Sequence, residues 1–473
     1  MKVMMIQLPH LYEGIGREPT IYPLGIGYLV SSLKEHHETI PLDLWIENAS
    51  VDYAMKMIGR NVPDVFCISV YSTQYPYFKE FAQSLKTAYP NIPIITGGPG
   101  ATFSYRVMLE KSDTDFCVIG EGEVTLGELL FNMDSPHDVR GIAFRNGNNI
   151  VVTPQREQIK VLDTIPFPDR TFFDFERYIL NSQKKQVFFK NMRCNTLITS
   201  RGCPYNCRFC SKTFSGSRIR SIEGIDEEIG LLKTEFNIEA IDFDDELVLL
   251  NKKRALEVCE MMKRHGIPWG CQGRINLIDE DILQSLKDAG CRYVGYGVES
   301  YTQKILDKMN KKIRVEQIVP AILLTKRHKI EPVIQYMYGY PGEDDASIRE
   351  TYQFFKAIDH PYIGMITTPL PGTALYQDAL EHGFIENEES YMMQLTSGYN
   401  YAKPLVNFTG FSEEEFLQKR ASLEKRVNGI YYAKHPLRHL KYFYLQCAYR
   451  IELLFKNPKL FFSKALKRIS TIK

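Results

Sequence analysis

Residues 201–210 read Arg201-Gly202-Cys203-Pro204-Tyr205-Asn206-Cys207-Arg208-Phe209-Cys210. Three cysteines stand at C-x3-C-x2-C spacing in one tight loop after a candidate strand, Asn195–Thr199. Thiolates are the soft ligands that iron–sulfur clusters take. Three of them on so short a stretch can reach three corners of one cubane, which leaves the fourth iron open to a chelating ligand. Zinc is the alternative metal, but a structural zinc closes its shell with four ligands. No further Cys or His follows at finger-like spacing, and Cys194 lies upstream of the loop. Three buried cysteines without a metal are the remaining reading.

Outward from the loop, strand and helix patterns alternate. Candidate strands after Asn195–Thr199 are Ala240–Phe243, Trp269–Gln272, Tyr293–Tyr296, Val333–Met337 and Ile363–Thr368. Helical patterns fill most gaps, for example Glu227–Glu235, Arg254–His265, Asp279–Asp288 and Ala346–Ala357. Six such units fall short of the eight of a closed barrel and predict a partial (β/α)6 barrel over 195–375. Upstream, residues 1–140 show the same alternation. Strands are expected at Lys2–Leu8, Val65–Val70, Ile92–Thr96 and Phe116–Ile119, and helices at Leu24–Lys34 and Tyr77–Thr87. That pattern predicts a doubly wound α/β domain with a parallel sheet. Ligands of such sheets bind at the carboxyl ends of the strands, where Gly97-Gly98-Pro99 and Gly120-Glu121-Gly122-Glu123 fall. Residues 141–194 read as a linker with a hairpin tip at Asn146-Gly147. Residues 376–473 read as a mostly helical C-terminal region.

The 473 residues are 44% hydrophobic and 24% charged, enough for several domain cores. Lys+Arg of 58 against Asp+Glu of 57 gives no field that would favour nucleic acid, so none is expected as a partner. The N-terminus lacks the apolar core and cleavage site of a signal peptide, and no run of about 18 apolar residues occurs. A cytoplasmic protein is expected, in a compartment where disulfides are rare. Cysteines 67, 117, 194, 259, 271, 291 and 447 then read as small buried hydrophobes.

The loop CPYNCRFC resembles the cluster loop of the radical S-adenosylmethionine superfamily. The resemblance implies a [4Fe–4S] cluster on Cys203, Cys207 and Cys210. It also implies S-adenosylmethionine on the open iron, a 5′-deoxyadenosyl radical as its product, and Phe209 near the adenine. Later turns extend it in order. Asp242-Phe243-Asp244-Asp245-Glu246 resembles the acidic turn near the S-adenosylmethionine amino group, with Asp244 as the candidate. Helix capping by Asp244 or Asp245 is compatible with that reading. Gln272-Gly273-Arg274 ends the third strand, where Arg274 can pair with the methionine carboxylate or lie on the surface. Gly295-Tyr296-Gly297-Val298-Glu299-Ser300 resembles the family's G-x-E-S turn, which gives Glu299 a cofactor role or that of a helix-start carboxylate. Gly339-Tyr340-Pro341-Gly342-Glu343 resembles the next turn, where Gly339 and Gly342 would let backbone approach the adenosyl group. Pro369-Leu370-Pro371-Gly372-Thr373 resembles the sixth-strand turn.

Residues 1–140 resemble the cobalamin-binding domain of the cobalamin-binding radical S-adenosylmethionine enzymes. The matching pieces imply cobalamin contacts at Leu24, Ser69, Tyr71, Ser72, Thr73, Gly97, Gly98, Gly120, Glu121 and Gly122. No Asp-x-His-x-x-Gly occurs, so no cobalt ligand is named. The resemblance implies methyl transfer to an unactivated carbon or phosphorus of a natural-product, lipid or peptide substrate, with ring closure or oxidation as the alternative on the same scaffold. A non-catalytic, metal-stabilised binding protein is the reading from another class. An electron donor such as flavodoxin or ferredoxin is implied as a partner. The stretch 434–473 carries ten Lys/Arg and one acid, Glu452, interleaved with aromatics. It is expected either to contact an anionic membrane peripherally or to cap the barrel with a wet basic face.

Overall fold

The computed structural model describes residues 1–12, 15–16, 18–396 and 403–440. The N-terminal sheet holds β1 (Lys2–Gln7), β2 (Glu38–Asp43), β3 (Val65–Ser69), β4 (Ile94–Gly97), β5 (Phe116–Val118), β6 (Ile142–Asn146) and β7 (Asn149–Val152). Their order is β2-β1-β3-β4-β5-β6-β7. The first five are parallel, and the hairpin β6–β7 joins antiparallel through β5. The sheet therefore runs past residue 140 and takes in the hairpin at the start of the expected linker. Chain order reverses direction between β1 and β3, which opens a crevice at their carboxyl ends.

Alternation along the strands divides the apolar residues between two faces. Met5, Cys67 and Ile95 pack under α1 (Leu24–Leu33) and α4 (Gly122–Phe131), while Met4, Phe66 and Ile68 pack under α2 (Val51–Ile58) and α3 (Tyr75–Ala88). Each such side chain contributes about 1.5–3 kcal/mol on full burial.

The second sheet holds β8 (Cys194–Leu197), β9 (Ala240–Phe243), β10 (Trp269–Gly273), β11 (Cys291–Glu299), β12 (Glu331–Tyr338) and β13 (Met365–Ile366). These six strands lie in chain order and all run parallel. Among the described residues β8 and β13 do not pair, so the barrel is open. Register puts Thr196 beside Asp242 and Gln272 beside Gly295. Gly270 leaves room for the Tyr293 ring, which a Cβ there would meet at 2.0 Å. The ring crosses that gap, and the Tyr293 hydroxyl donates to Asp242.

The segment between the sheets binds both. Tyr22 donates to the Asp169 carbonyl at 2.7 Å and Tyr178 donates to Asp43 at 2.6 Å. Arg170 reaches into the barrel, where Glu228 takes it at 3.0 Å and Arg220 at 2.5 Å, all three buried. Tyr22, Phe175 and Leu197 belong to one continuous core. Beyond the barrel, α5 (Ala374–Glu381), α6 (Glu388–Met392) and α7 (Glu413–Lys434) are helical. Ser412 and Glu415 cap α7 reciprocally. Of the basic stretch, residues 441–473 lie outside the described residues. No helix among those described is long and apolar enough to cross a membrane.

Candidate active site between two sheets

The cysteine loop is closed by a short ribbon in which Ser200–Arg201 pairs antiparallel with Arg218–Ile219. Gly202 turns at φ +84°, and a Cβ there would lie 2.5 Å from the Gly216 carbonyl oxygen, so the turn requires glycine. The Arg208 amide donates to the Met309 carbonyl, and the Leu375 amide to the Arg208 carbonyl, at 3.0 and 2.9 Å. Asn310 Nδ2 donates to the Asn206 carbonyl at 2.8 Å. Cys203 and Cys207 are half-buried and Cys210 is exposed, whereas the six other described cysteines are buried. Among the described residues, no three His, Cys, Asp or Glu side chains converge as ligands of a single ion. Three thiolates on one short loop suit a cubane, in which each takes a separate iron.

Above the loop lies a bed of polar side chains rooted on neighbouring strands. The Arg274 guanidinium stacks over the Tyr205 ring at 3.6 Å and gives its Nε–H to Asn276 at 2.9 Å. Its Nη2 is buried with no partner. Thr196 Oγ1 and Thr367 Oγ1 are buried without partners too. Glu299 sits at φ +63°, a costly backbone state for a glutamate and one found at ligand sites. Its Oε1 accepts from Lys311 Nζ at 3.0 Å. Lys311 Nζ lies 5.4 Å from the Phe209 ring, which also meets Tyr340 edge-on. Gln335 donates to Gln272 at 3.4 Å. Unpaired donors beside paired acids suit a zwitterionic, ring-bearing ligand such as S-adenosylmethionine.

The acids of the β9 turn divide their tasks. Asp245 accepts from the Thr199 amide, the Thr199 hydroxyl and the Ser200 hydroxyl, so it holds the start of the cysteine loop. Asp244 opens instead into a cavity of about 1270 Å³ shared with the N-terminal domain. Enclosing protein, and then the charges of Asp242, Asp245 and Glu246, push its carboxyl up to about 7. Gly339 and Gly342 carry positive φ, but Cβ atoms there would meet the Phe416 ring and Lys308. Phe416 and Lys308 thus pack directly against those two turns.

The cavity lies at the crevice between β1 and β3 and faces the barrel. Leu24, Ser69, Tyr71, Gly97, Gly98, Gly120 and Gly122 line its N-terminal wall, and Ser200, Arg201, Asp244 and Glu246 its barrel wall. Ser72 and Thr73 are not among the lining residues. They form a single turn in which Gln74 accepts from the Tyr71 amide and donates to the Leu8 carbonyl. Glu121 touches the cavity, yet its carboxylate is committed elsewhere. It takes Arg201 at 2.7 Å, Arg218 at 2.9 Å and the Ile159 amide at 2.9 Å. That carboxylate acts as a clamp between domains, with Glu123 on Arg201 at 2.5 Å as its second jaw.

Lys311, Tyr205 and the Arg201–Glu121–Arg218 clamp were not legible as functional from the sequence. A lysine in Asn310-Lys311-Lys312 reads as solvated surface, and only the fold turns it inward.

Comparisons agree with this geometry. Residues 15–130 match the B12 binding domain and residues 197–355 match the radical SAM superfamily. An uncharacterised methyltransferase of Pyrococcus horikoshii is 30% identical over 81% of this chain and 84% of its own length. The anaerobic magnesium-protoporphyrin IX monomethyl ester cyclase of Rubrivivax gelatinosus is 28% identical over 85% of this chain and 73% of its own. Among solved structures, the radical S-adenosylmethionine methyltransferase TsrM of Kitasatospora setae, with cobalamin and a [4Fe–4S] cluster bound, shares the fold. Its TM-score is 0.64 at 17% identity, covering 80% of this chain and 75% of that one. The two matched regions, in this order and joined by one cavity, assign the chain to the cobalamin-binding radical S-adenosylmethionine enzyme family.

Proposed function

We propose that this enzyme transfers a methyl group to an unactivated carbon or phosphorus of a small-molecule substrate. One observation carries the reading. The strand-end loops of the N-terminal sheet and the acidic turn of the barrel bound a single cavity, so the cobalamin bed opens directly onto the Asp244 turn of the radical domain. When bound, the cluster and S-adenosylmethionine supply a hydrogen-abstracting radical, and cobalamin supplies a transferable methyl group. The chain contributes placement. Cys203, Cys207 and Cys210 hold the cluster, while Arg274, Gln272, Glu299 and Phe209 orient S-adenosylmethionine. Leu24, Ser69, Tyr71 and the turns at Gly97-Gly98 and Gly120 receive cobalamin. Asp244 stands between the two beds. A small electron-carrier protein of the flavodoxin or ferredoxin kind supplies the reductant.

Product analysis by mass spectrometry tests the proposal once a substrate is in hand. Methyl transfer predicts 5′-deoxyadenosine and S-adenosylhomocysteine together, with the S-adenosylhomocysteine dependent on added hydroxocobalamin. Ring closure, the chemistry in the Rubrivivax relative's name, predicts 5′-deoxyadenosine alone, and that result would overturn the proposal.

A further inference from the structure

The cysteine loop has two faces. One is turned toward the cavity through Arg201, Thr213 and Phe214. The other borders a separate open groove of about 640 Å³, lined by Asn206, Cys207, Arg208, Cys210, Lys212 and Asn310. The two spaces have no lining residue in common. Cys210, the one exposed cysteine among those described, lies in the groove.

The rim of this groove is basic. Lys212 Nζ is held by the Cys203 carbonyl at 3.0 Å and by Asn206 Oδ1 at 2.9 Å, with no carboxylate paired to it among the described residues. The stretch 308–312 is fastened to the loop through Met309 and Asn310. It presents Lys308 and Lys312 to solvent, again with no ion pair among the described residues. Asp378 neutralises Arg208, at 2.6 Å. Lys212 on the groove, with exposed Lys308 and Lys312 on either side of the fastened Met309 and Asn310, thus adds uncompensated positive charge beside the loop on a chain whose overall charge is near zero.

We infer that this groove is the docking surface for an acidic one-electron carrier protein. The inference rests on Cys203, Cys207 and Cys210 being the cluster ligands. An electron entering beside Cys210 arrives at one of the cluster's own cysteines, on the face of the loop turned away from the cavity. The step is a single-electron exchange in which the carrier is oxidised by one electron and the cluster reduced by one, with no bond made or broken. Uncompensated charge around the entry point attracts an acidic partner and orients it, acting mainly on the rate of encounter.

Reduced flavodoxin and dithionite serve as alternative donors in the test. The holoenzyme carries Lys312→Glu alone or together with Lys308→Glu, and 5′-deoxyadenosine formation is followed. With dithionite, which needs no docking, both variants are expected to match the wild type. With flavodoxin, KM for the carrier is expected to rise roughly tenfold in the double variant with kcat little changed, as for a rim charge. Wild-type kcat/KM is expected to fall with added salt, and the double variant's to fall less. Unchanged KM for flavodoxin, or no flavodoxin-driven turnover in a wild type that dithionite activates, overturns the docking surface alone. Failure of dithionite to drive cleavage overturns the underlying cluster assignment instead.

Discussion

Lys311 Nζ lies 3.0 Å from Glu299 Oε1, and both side chains are less than one-tenth exposed. The pair links the strained turn at the end of β11 to the stretch that holds the cysteine loop. Breaking one half of a buried pair strands the other, at a cost of about 3–5 kcal/mol. Lys311→Met is therefore expected to lower unfolding stability by that order in anaerobic denaturant titration. Glu299→Gln added to it is expected to restore at least part of the loss. A single variant as stable as the wild type would show that the pair does not hold the turn.

Arg274 offers one buried unpaired nitrogen beside its stack on Tyr205. Lysine keeps the charge but loses the planar fork. Arg274→Lys is expected to weaken S-adenosylmethionine binding roughly tenfold, equivalent to about 1.4 kcal/mol, while the iron content stays at the wild-type level. Equilibrium dialysis against labelled S-adenosylmethionine reads the first, and iron analysis the second. Unchanged affinity removes Arg274 from the binding bed.

Glu343 is buried, and that burial pushes its carboxyl from 4.5 up to about 8, partly offset by the hydrogen bond from the Gly339 amide. The folded chain thus keeps a proton that the unfolded chain releases above pH 4.5. Its contribution to stability is fully present below that pH and is lost as pH rises toward 8. Glu343→Gln, which is neutral throughout, is expected to flatten this part of the stability profile. A parallel slope in the variant, measured by denaturant midpoints across that range, would show that Glu343 is ionised in the fold.

The division between what the sequence revealed and what it concealed follows the range of the interactions. The six barrel strands were legible because each is a short apolar run closed by a distinctive turn. The cysteine loop was legible because its three cysteines are local. Arg274 and Glu299 could be named because each ends a recognisable strand. Their neighbours could not, since Lys311 meets Glu299 across 12 residues and Arg201 meets Glu121 across 80. Glu121 sits in a glycine-rich turn of the kind that receives ligands, yet its carboxylate serves the domain interface. Met392 is buried in the N-terminal core and Tyr391 donates to the Pro369 carbonyl, contacts that join distant parts of the chain and only the fold reveals. Hairpin β6–β7 looked like linker because its pairing with β5 is visible only in three dimensions.

The central claim is that Cys203, Cys207 and Cys210 carry a cluster that initiates radical chemistry. Reductant-dependent 5′-deoxyadenosine formation tests it most directly, in anaerobically reconstituted wild type and in Cys207→Ala. The wild type is expected to bind about four irons per chain, as one cubane requires, and to form 5′-deoxyadenosine. The variant is expected to lose iron and form none. A wild type that takes up zinc instead and leaves S-adenosylmethionine intact, or a variant as active as the wild type, would contradict the account.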